Sequence, residues 1–327
     1  MFNTIYIEEK AYEYHITRQL LHKYVDSEVV TIRHYKDVFN RPKQNLAVQK
    51  RYPSLILAVK DGQFLYEGPV VCQSFDHPNF YYTSFLLNCV FDCEYCFLQG
   101  MYPSANIVAF VNVEDFKEAM KDLLHSRKKV FLAVSYDTDL IAFHNIIPYL
   151  QYFYDFFASH PDMLAEVRTK SANQAFYNDY QPLKNLIIAF TLAPDEIIKK
   201  YERHTPSLKS RINAVKAATA RGFSVRICFD PVFADPEMED AYKEFYHHVF
   251  TQIDPGSILD VGYGFFRMPV DFFKRIEKVR SSSLLYAKEY FVKGNVVSYP
   301  EPVMERIKTE HLEILEKYIK KEKIFTL

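Results

Sequence analysis

LLNCVFDCEYCFLQGMYP, residues 86–103, gathers Cys89, Cys93 and Cys96 within eight positions of a 327-residue chain that has only five cysteines. Thiolates are soft ligands, and three so close together point to zinc or to an iron–sulfur cluster. Structural zinc closes a shell of four, usually with a second CxxC or a histidine pair further along. Here Cys72 and Cys228 stand alone and His77 is the nearest histidine. A [4Fe–4S] cluster bound by three cysteines fits better, because one iron then stays open for a substrate or cofactor. Three core cysteines are the plain alternative, since cysteine is among the most buried residue types. The density of thiols in a loop argues against it.

The sequence around this stretch is rhythmic. From residue 80 onward the runs YYTSFLL, KVFLAVS, AEVRT, LIIAFTL, FSVRICFD and ILDVGYG alternate with helix-period segments such as VEDFKEAMKDLLHSR and PSLKSRINAVKAATARG. Six strands alternating with helices predict parallel βαβ units with right-handed crossovers, hence an α/β protein with a barrel-like or open sheet. Ser207 and Gly222 frame LKSRINAVKAATA as N-cap and C-cap signals. Working residues in such folds collect at the C-terminal ends of the strands, and Cys89 directly follows the first run. Before residue 80 the chain reads as a helix (AYEYHITRQLLHKY), a strand (EVVTIRHY), a basic irregular stretch (RPKQNLAVQKRY) and a second strand (SLILAVKDG).

Composition narrows the function classes. A hydrophobic share of 49% and a charged share of 25% are those of a globular protein. Only 8 glycines argue against a Gly-rich phosphate loop as the central device, and a net charge of −1 gives no global reason to bind nucleic acid. No basic-then-apolar leader and no run long enough for a membrane span is visible. An odd number of cysteines without a secretion signal does not read as a disulfide framework. The expectation is a reduced, cytoplasmic protein that makes no use of a membrane.

CxxxCxxC with an aromatic residue, Tyr95, before its last cysteine is the signature of the radical S-adenosylmethionine (SAM) superfamily, which this chain resembles. The resemblance implies a partial (β/α)6 TIM-like barrel, in line with the six strands. Residues 1–79 would form an N-terminal extension, 80–280 the barrel and 281–327 a C-terminal strand and helix addition. It also implies that the open iron of a [4Fe–4S] cluster binds the amino and carboxylate groups of SAM.

Within that superfamily, CEYCFLQG, VNVEDF, VRTKSAN, FTLAPDEIIKKYERHTPSLKSRINAVKAATARGF and GYGFFRMPVDFFKRI are similar, in order, to segments of the spore photoproduct lyase family. Such an enzyme is a carbon–carbon lyase of DNA repair. Through a 5′-deoxyadenosyl radical it reverts 5-thyminyl-5,6-dihydrothymine to two thymines. The resemblance implies damaged DNA as substrate and an electron donor such as a flavodoxin or ferredoxin. Carried over by position, Thr138, Asp139 and Lys170 lie near SAM with Tyr95, and Thr191 is a further candidate for the SAM pocket. An ammonium can pair with the SAM carboxylate, and hydroxyls can hold its ribose or amine. The other readings are a family member with a different substrate and a non-catalytic iron–sulfur protein.

The chain also departs from the family pattern. The cysteine that donates hydrogen from the second strand in well-known members is replaced by Tyr136, beside Ser135, and the aromatic residue after the last cluster cysteine is Phe97, which has no O–H. Two thiols remain. Cys72, in VVCQSF, reads as a strand residue near the barrel mouth, and Cys228 lies in the fifth strand run. A carbon-radical product needs a weak X–H bond nearby, so Cys72 is the expected hydrogen donor, with Tyr136 as a less suitable O–H alternative. For DNA, Arg41, Lys43, Lys50 and Arg51 form one basic run and Lys274, Arg275, Lys278 and Arg280 a second. Tyr299 and Arg306 are candidate wedge residues.

Overall fold

The structure is a computed structural model that describes residues 2–327. Its centre is an eight-stranded sheet. The six expected strands are Phe80–Thr83, Val130–Ala133, Met163–Thr169, Leu186–Thr191, Ser224–Val232 and Asp260–Phe265, and each is parallel to the next. We number them the first to sixth barrel strands. Leu65–Glu67 adds an antiparallel edge beside the first, and Ile324–Thr326 lies parallel to the sixth. The fourth barrel strand, LIIAFT, is buried at every position, as a parallel strand covered on both faces must be.

Helices cross between the strands, among them Val113–Arg127, Tyr149–Ser159, Leu208–Ala220 and Glu239–Gln252. The Ser207 side chain accepts from the Ser210 N–H at the start of its helix. Gly222 takes a φ of +84° just past the end, a conformation that a side chain would oppose.

The N-terminal residues form a second, five-stranded sheet in the order Glu28–Ile32, Thr4–Glu8, Leu55–Ala58, Ile107–Phe110, Leu86–Leu87. Its last two strands come from either side of the cysteine segment. The apolar run YYTSFLL is therefore divided: Phe80–Thr83 serves the barrel and Leu86–Leu87 the second sheet. The cysteine segment thus leaves from the junction between the sheets.

Polar chemistry fills the lower barrel. The buried Arg226 guanidinium bonds Asp260 at 2.5 and 2.8 Å and Glu166 at 2.6 Å, which ties together the third, fifth and sixth strands. The Phe75 ring stacks on this guanidinium, 3.2 Å from its carbon. With the interior plugged there, the open cavity lies towards the C-terminal ends of the strands. Among the described residues no helix is long and apolar enough to cross a membrane.

One local expectation fails. Cys72 is not in a strand: residues 68–79 form an irregular loop in which the Cys72 N–H bonds the Pro69 carbonyl, and Phe75 and Asp76 take positive φ. Proline cannot donate to a ladder, and the turn after it breaks the extended pattern.

Candidate active site

A single cavity is lined by Cys89, Cys93 and Cys96 together with Cys72, Tyr95, Tyr136, Thr138, Asp139, Lys170 and Thr191. All ten residues expected from the sequence meet there. Cys228 does not line it; it is buried in the fifth strand.

The cysteine segment is held by hydrogen bonds along its length. Asp92–Cys93 pairs antiparallel with Glu202–Arg203, and the Glu94 N–H bonds the Tyr201 carbonyl at 2.7 Å. Lys50 donates to the carbonyls of Cys89 and Phe91, both at 2.8 Å. Gln99 donates to the Cys93 carbonyl, and Arg280 in turn bonds Gln99 and Asp92. Burial pushes all three thiols up, Cys89 to about 12, while Lys50 pulls Cys89 and Cys96 the other way and Lys170 does so for Cys93. Metal binding must therefore supply the drive for deprotonation. Among the described residues no three Cys, His, Asp or Glu side chains converge as ligands of one ion would. A cluster takes each thiolate on its own iron and does not require such convergence.

The SAM-side residues divide by role. Thr138 lines the cavity, and its buried hydroxyl has no protein partner; an unmet buried hydroxyl is costly. Asp139 is occupied: it accepts from the Thr169 hydroxyl at 2.7 Å, the Lys170 N–H at 2.8 Å and the Ala142 N–H at 3.0 Å. It braces the end of the third strand and so positions Lys170. The Lys170 ammonium lies 5.4 Å from the centre of the Tyr95 ring. Burial opposes its charge, but Glu202 and Cys93 outweigh that and raise its pKa, so it stays cationic.

Sequence reasoning missed the partners beneath these residues. The Tyr95 hydroxyl donates to Glu202, whose other oxygen pairs with the fully buried Arg211. Arg211 also donates to the Thr191 carbonyl at 3.1 Å. Burial pushes the Glu202 carboxyl up, but Arg211 and Lys170 hold it below its usual range. Both residues lie in the segment KKYERHTPSLKSRINA, where helix-flanking charges read as solvated surface.

Cys72 faces the same cavity from the opposite loop. Tyr136 lines the cavity with it. Arg267 anchors the loop by donating to the Val71 carbonyl at 2.7 Å and clamps Asp230 at 2.9 and 3.1 Å. Burial raises the Cys72 pKa, against the pull of Arg267 and Arg168, so the thiol keeps its hydrogen at neutral pH. The Tyr136 ring lies 5.3 Å from Phe97 and 4.1 Å from Tyr82.

Two wedge candidates lie elsewhere. Tyr299 is only 5% exposed, and Arg306 pairs with Glu239 and Glu310 on the outer face of its helix. A packed ring such as Tyr299 is not free to enter DNA, whereas the Arg306 side chain remains half exposed. The exposed apolar pair beside the cavity is Phe291 and Val292. They lie on a hairpin whose second strand, Val296–Ser298, pairs with the cavity-lining Met268–Pro269.

A parallel half-barrel with three cysteines and an ammonium at the C-terminal ends of its strands defines a protein of the radical SAM fold. The family model described as spore photoproduct lyase matches residues 1–281, and the chain belongs to that family. It is 23% identical over 265 residues to the spore photoproduct lyase of Bacillus subtilis (strain 168), covering 79% of this chain and 74% of that protein. Among solved structures it resembles a spore photoproduct lyase double mutant with bound AdoMet and dinucleoside spore photoproduct, with TM-score 0.83, 16% identity, and coverage of 100% of this chain and 98% of the other. It is similarly close to a spore photoproduct lyase complexed with the dinucleoside spore photoproduct, with TM-score 0.82, 15% identity and the same coverage.

Proposed function

We propose that this chain is a radical SAM DNA-repair lyase that returns 5-thyminyl-5,6-dihydrothymine to two thymines. The observation that carries the reading is the single cavity that joins the three cysteines and Lys170 to a protonated Cys72 thiol. Cys89, Cys93 and Cys96 would hold a [4Fe–4S] cluster. Lys170 would pair with the SAM carboxylate, Thr138 and Thr191 with its polar groups, and Tyr95 would pack beside the cluster. When bound, the cluster and SAM supply the 5′-deoxyadenosyl radical that removes hydrogen from C6 of the lesion.

The chain's own residues then govern the fate of the substrate radical. After the bond between the two thymines breaks, one thymine carries an unpaired electron on carbon. Cys72 gives it the S–H hydrogen atom, which completes the thymine and leaves a thiyl radical. The thiyl would recover its hydrogen from 5′-deoxyadenosine, which took one from the lesion, so the hydrogen count closes; Tyr136, which lines the same cavity, is the alternative O–H donor. Five free cysteines and a cluster with an open iron suit a reducing compartment, so we place the protein in the cytoplasm.

A second reading, a family member with another substrate, draws on Tyr136 and Phe97, which replace the usual cysteine and tyrosine. One experiment separates the readings: anaerobic reconstitution, then incubation with SAM, dithionite and dinucleoside spore photoproduct. Release of thymine supports the lyase. Release of 5′-deoxyadenosine without thymine supports the second reading, and release of neither defeats both.

A further inference from the structure

The loop that carries Cys72, residues 68–79, has no strand or helix of its own, and Val70 at its crest is 94% exposed. It is seated on the barrel at two points, one on either side of the thiol, and both meet the sixth barrel strand. That strand, DVGYGF, places two of the chain's 8 glycines, Gly262 and Gly264, two positions apart and so on one face. A Cβ at Gly262 would fall 3.1 Å from the Phe75 ring, which stacks on the Arg226 guanidinium. A Cβ at Gly264 would fall 2.8 Å from Nη1 of Arg267. The bare strand face leaves room for the loop's own Phe75 and for the guanidinium that grips its other arm.

Arg267 makes that grip. Its Nε donates to the Val71 carbonyl at 2.7 Å, one residue before Cys72. Its terminal nitrogens donate to the two oxygens of Asp230 at 2.9 and 3.1 Å, and Nη1 also donates to the Phe265 carbonyl at 2.8 Å. Asp230 lies near the end of the fifth barrel strand and faces Arg168 of the third at 3.6 Å. A bidentate pair fixes the plane of a guanidinium, so the remaining N–H is aimed at one point of the loop. Val71, Cys72, Asp230 and Arg267 all line the cavity. A reacting group misplaced by about 1 Å can lose roughly a hundredfold in rate. A loop without regular structure does not hold a thiol to that tolerance unaided.

We propose that Arg267 is a positioning residue for the hydrogen return: braced by Asp230, it holds the Val71 carbonyl and so keeps the Cys72 thiol in place for the thymine radical. The hydrogen leaves sulfur with one electron and bonds carbon. No charge moves, and the guanidinium takes no part as acid or base. The inference rests on Cys72 being the donor, as proposed above.

The test uses the reconstituted holoenzyme with SAM, dithionite and dinucleoside spore photoproduct, and reads thymine formed per 5′-deoxyadenosine released. Arg267→Gln should lower this ratio about tenfold, with abortive adducts making up the balance, while 5′-deoxyadenosine release persists. Arg267→Lys keeps a cationic donor and should fall in between. Gly264→Ala removes no charge but presses on the guanidinium, and should lower the ratio about threefold. Added to Cys72→Ala, Arg267→Gln should change the ratio no further, because both act through one thiol. A second readout needs no turnover. Labelling of Cys72 by iodoacetamide, mapped by mass spectrometry, should speed up about tenfold in Arg267→Gln, while the buried Cys228 stays unlabelled and reports an intact barrel. An unchanged ratio in both Arg267→Gln and Gly264→Ala overturns the proposal. A parallel fall of 5′-deoxyadenosine and thymine at constant ratio overturns it too and assigns Arg267 to substrate binding. If Arg267→Gln is labelled at Cys228, its barrel has opened, and the ratio in Gly264→Ala decides. If Cys72→Ala itself forms clean thymine, the donor assignment fails, and the labelling rates still show whether Arg267 holds the loop.

Discussion

Tyr136 and Cys72 line one cavity, which brings the end of the second barrel strand and the loop after Leu65–Glu67 together. The second strand has no thiol to offer, and its tyrosine instead shares the cavity with one held on another segment. The proposed quenching group thus sits at another place in the chain, in the same cavity.

Cys72→Ala should therefore separate the two halves of the reaction. SAM cleavage is expected to continue, while the thymine radical goes to abortive adducts and thymine yield falls about tenfold or more, since S–H transfer is the step removed. Product analysis by mass spectrometry decides it. Clean thymine formation by this variant would remove Cys72 from the mechanism.

Lys170→Met keeps the length of the side chain and removes its charge. A charge-assisted contact is worth about 1.5–3 kcal/mol, so SAM affinity should weaken roughly 10- to 100-fold. Equilibrium dialysis with the holoenzyme measures it. An unchanged affinity would mean that the ammonium serves only Glu202.

Asp137 gives a pH signature. Burial raises its carboxyl to about 6 against the pull of Ser84 and Tyr102, whereas an unfolded aspartate titrates near 3.9. Between those values the native state holds a proton that the unfolded chain has released. The stabilisation is full below about pH 4 and is lost as pH rises through about 6. Asp137→Asn removes the titration. The wild type's unfolding free energy relative to this variant should drop by roughly 3 kcal/mol from pH 4 to pH 8. Urea unfolding at the two pH values would show a constant difference if the idea is wrong.

Gly100→Ala places a methyl group against the Phe272 backbone at 2.6 Å. Overpacking of this kind costs about 1–3 kcal/mol, and here it pries the helix after Cys96 from its neighbour. A lower melting temperature and less than full iron incorporation are expected together. Full iron loading at unchanged stability would show that the seam is slack.

Phe291→Ser/Val292→Ser tests the hairpin, where these side chains are 53% and 52% exposed. Base stacking on aromatic side chains is worth about 1–3 kcal/mol. Affinity for lesion-containing oligonucleotides should drop roughly tenfold, with dinucleoside turnover retained. Loss of both would show that the hairpin shapes the cavity itself.

The barrel was legible because each of its strands is a short, largely apolar run between helix-period segments, and parallel pairing comes from that alternation. The cysteines were legible because ligand spacing is local. The Cys72 loop was misread as strand, since VVCQSF has strand composition and only the turn after Pro69 reveals otherwise. Tyr299 was misjudged because its burial depends on neighbours from other segments. Glu202 and Arg211 were invisible as site residues for a related reason. Their charges meet only when the helix Leu208–Ala220 folds back beneath Tyr95. The second sheet was hidden because it recruits Ile107–Phe110 from beyond the cysteines.

The pairing of Asp92–Cys93 with Glu202–Arg203 bears on assembly. The Cys93 backbone is held by a short strand that follows the fourth barrel strand in sequence, so the proposed ligand loop is complete only once that later part of the chain is in place. A chain interrupted before Glu202 would carry all three cysteines and lack the segment that holds them.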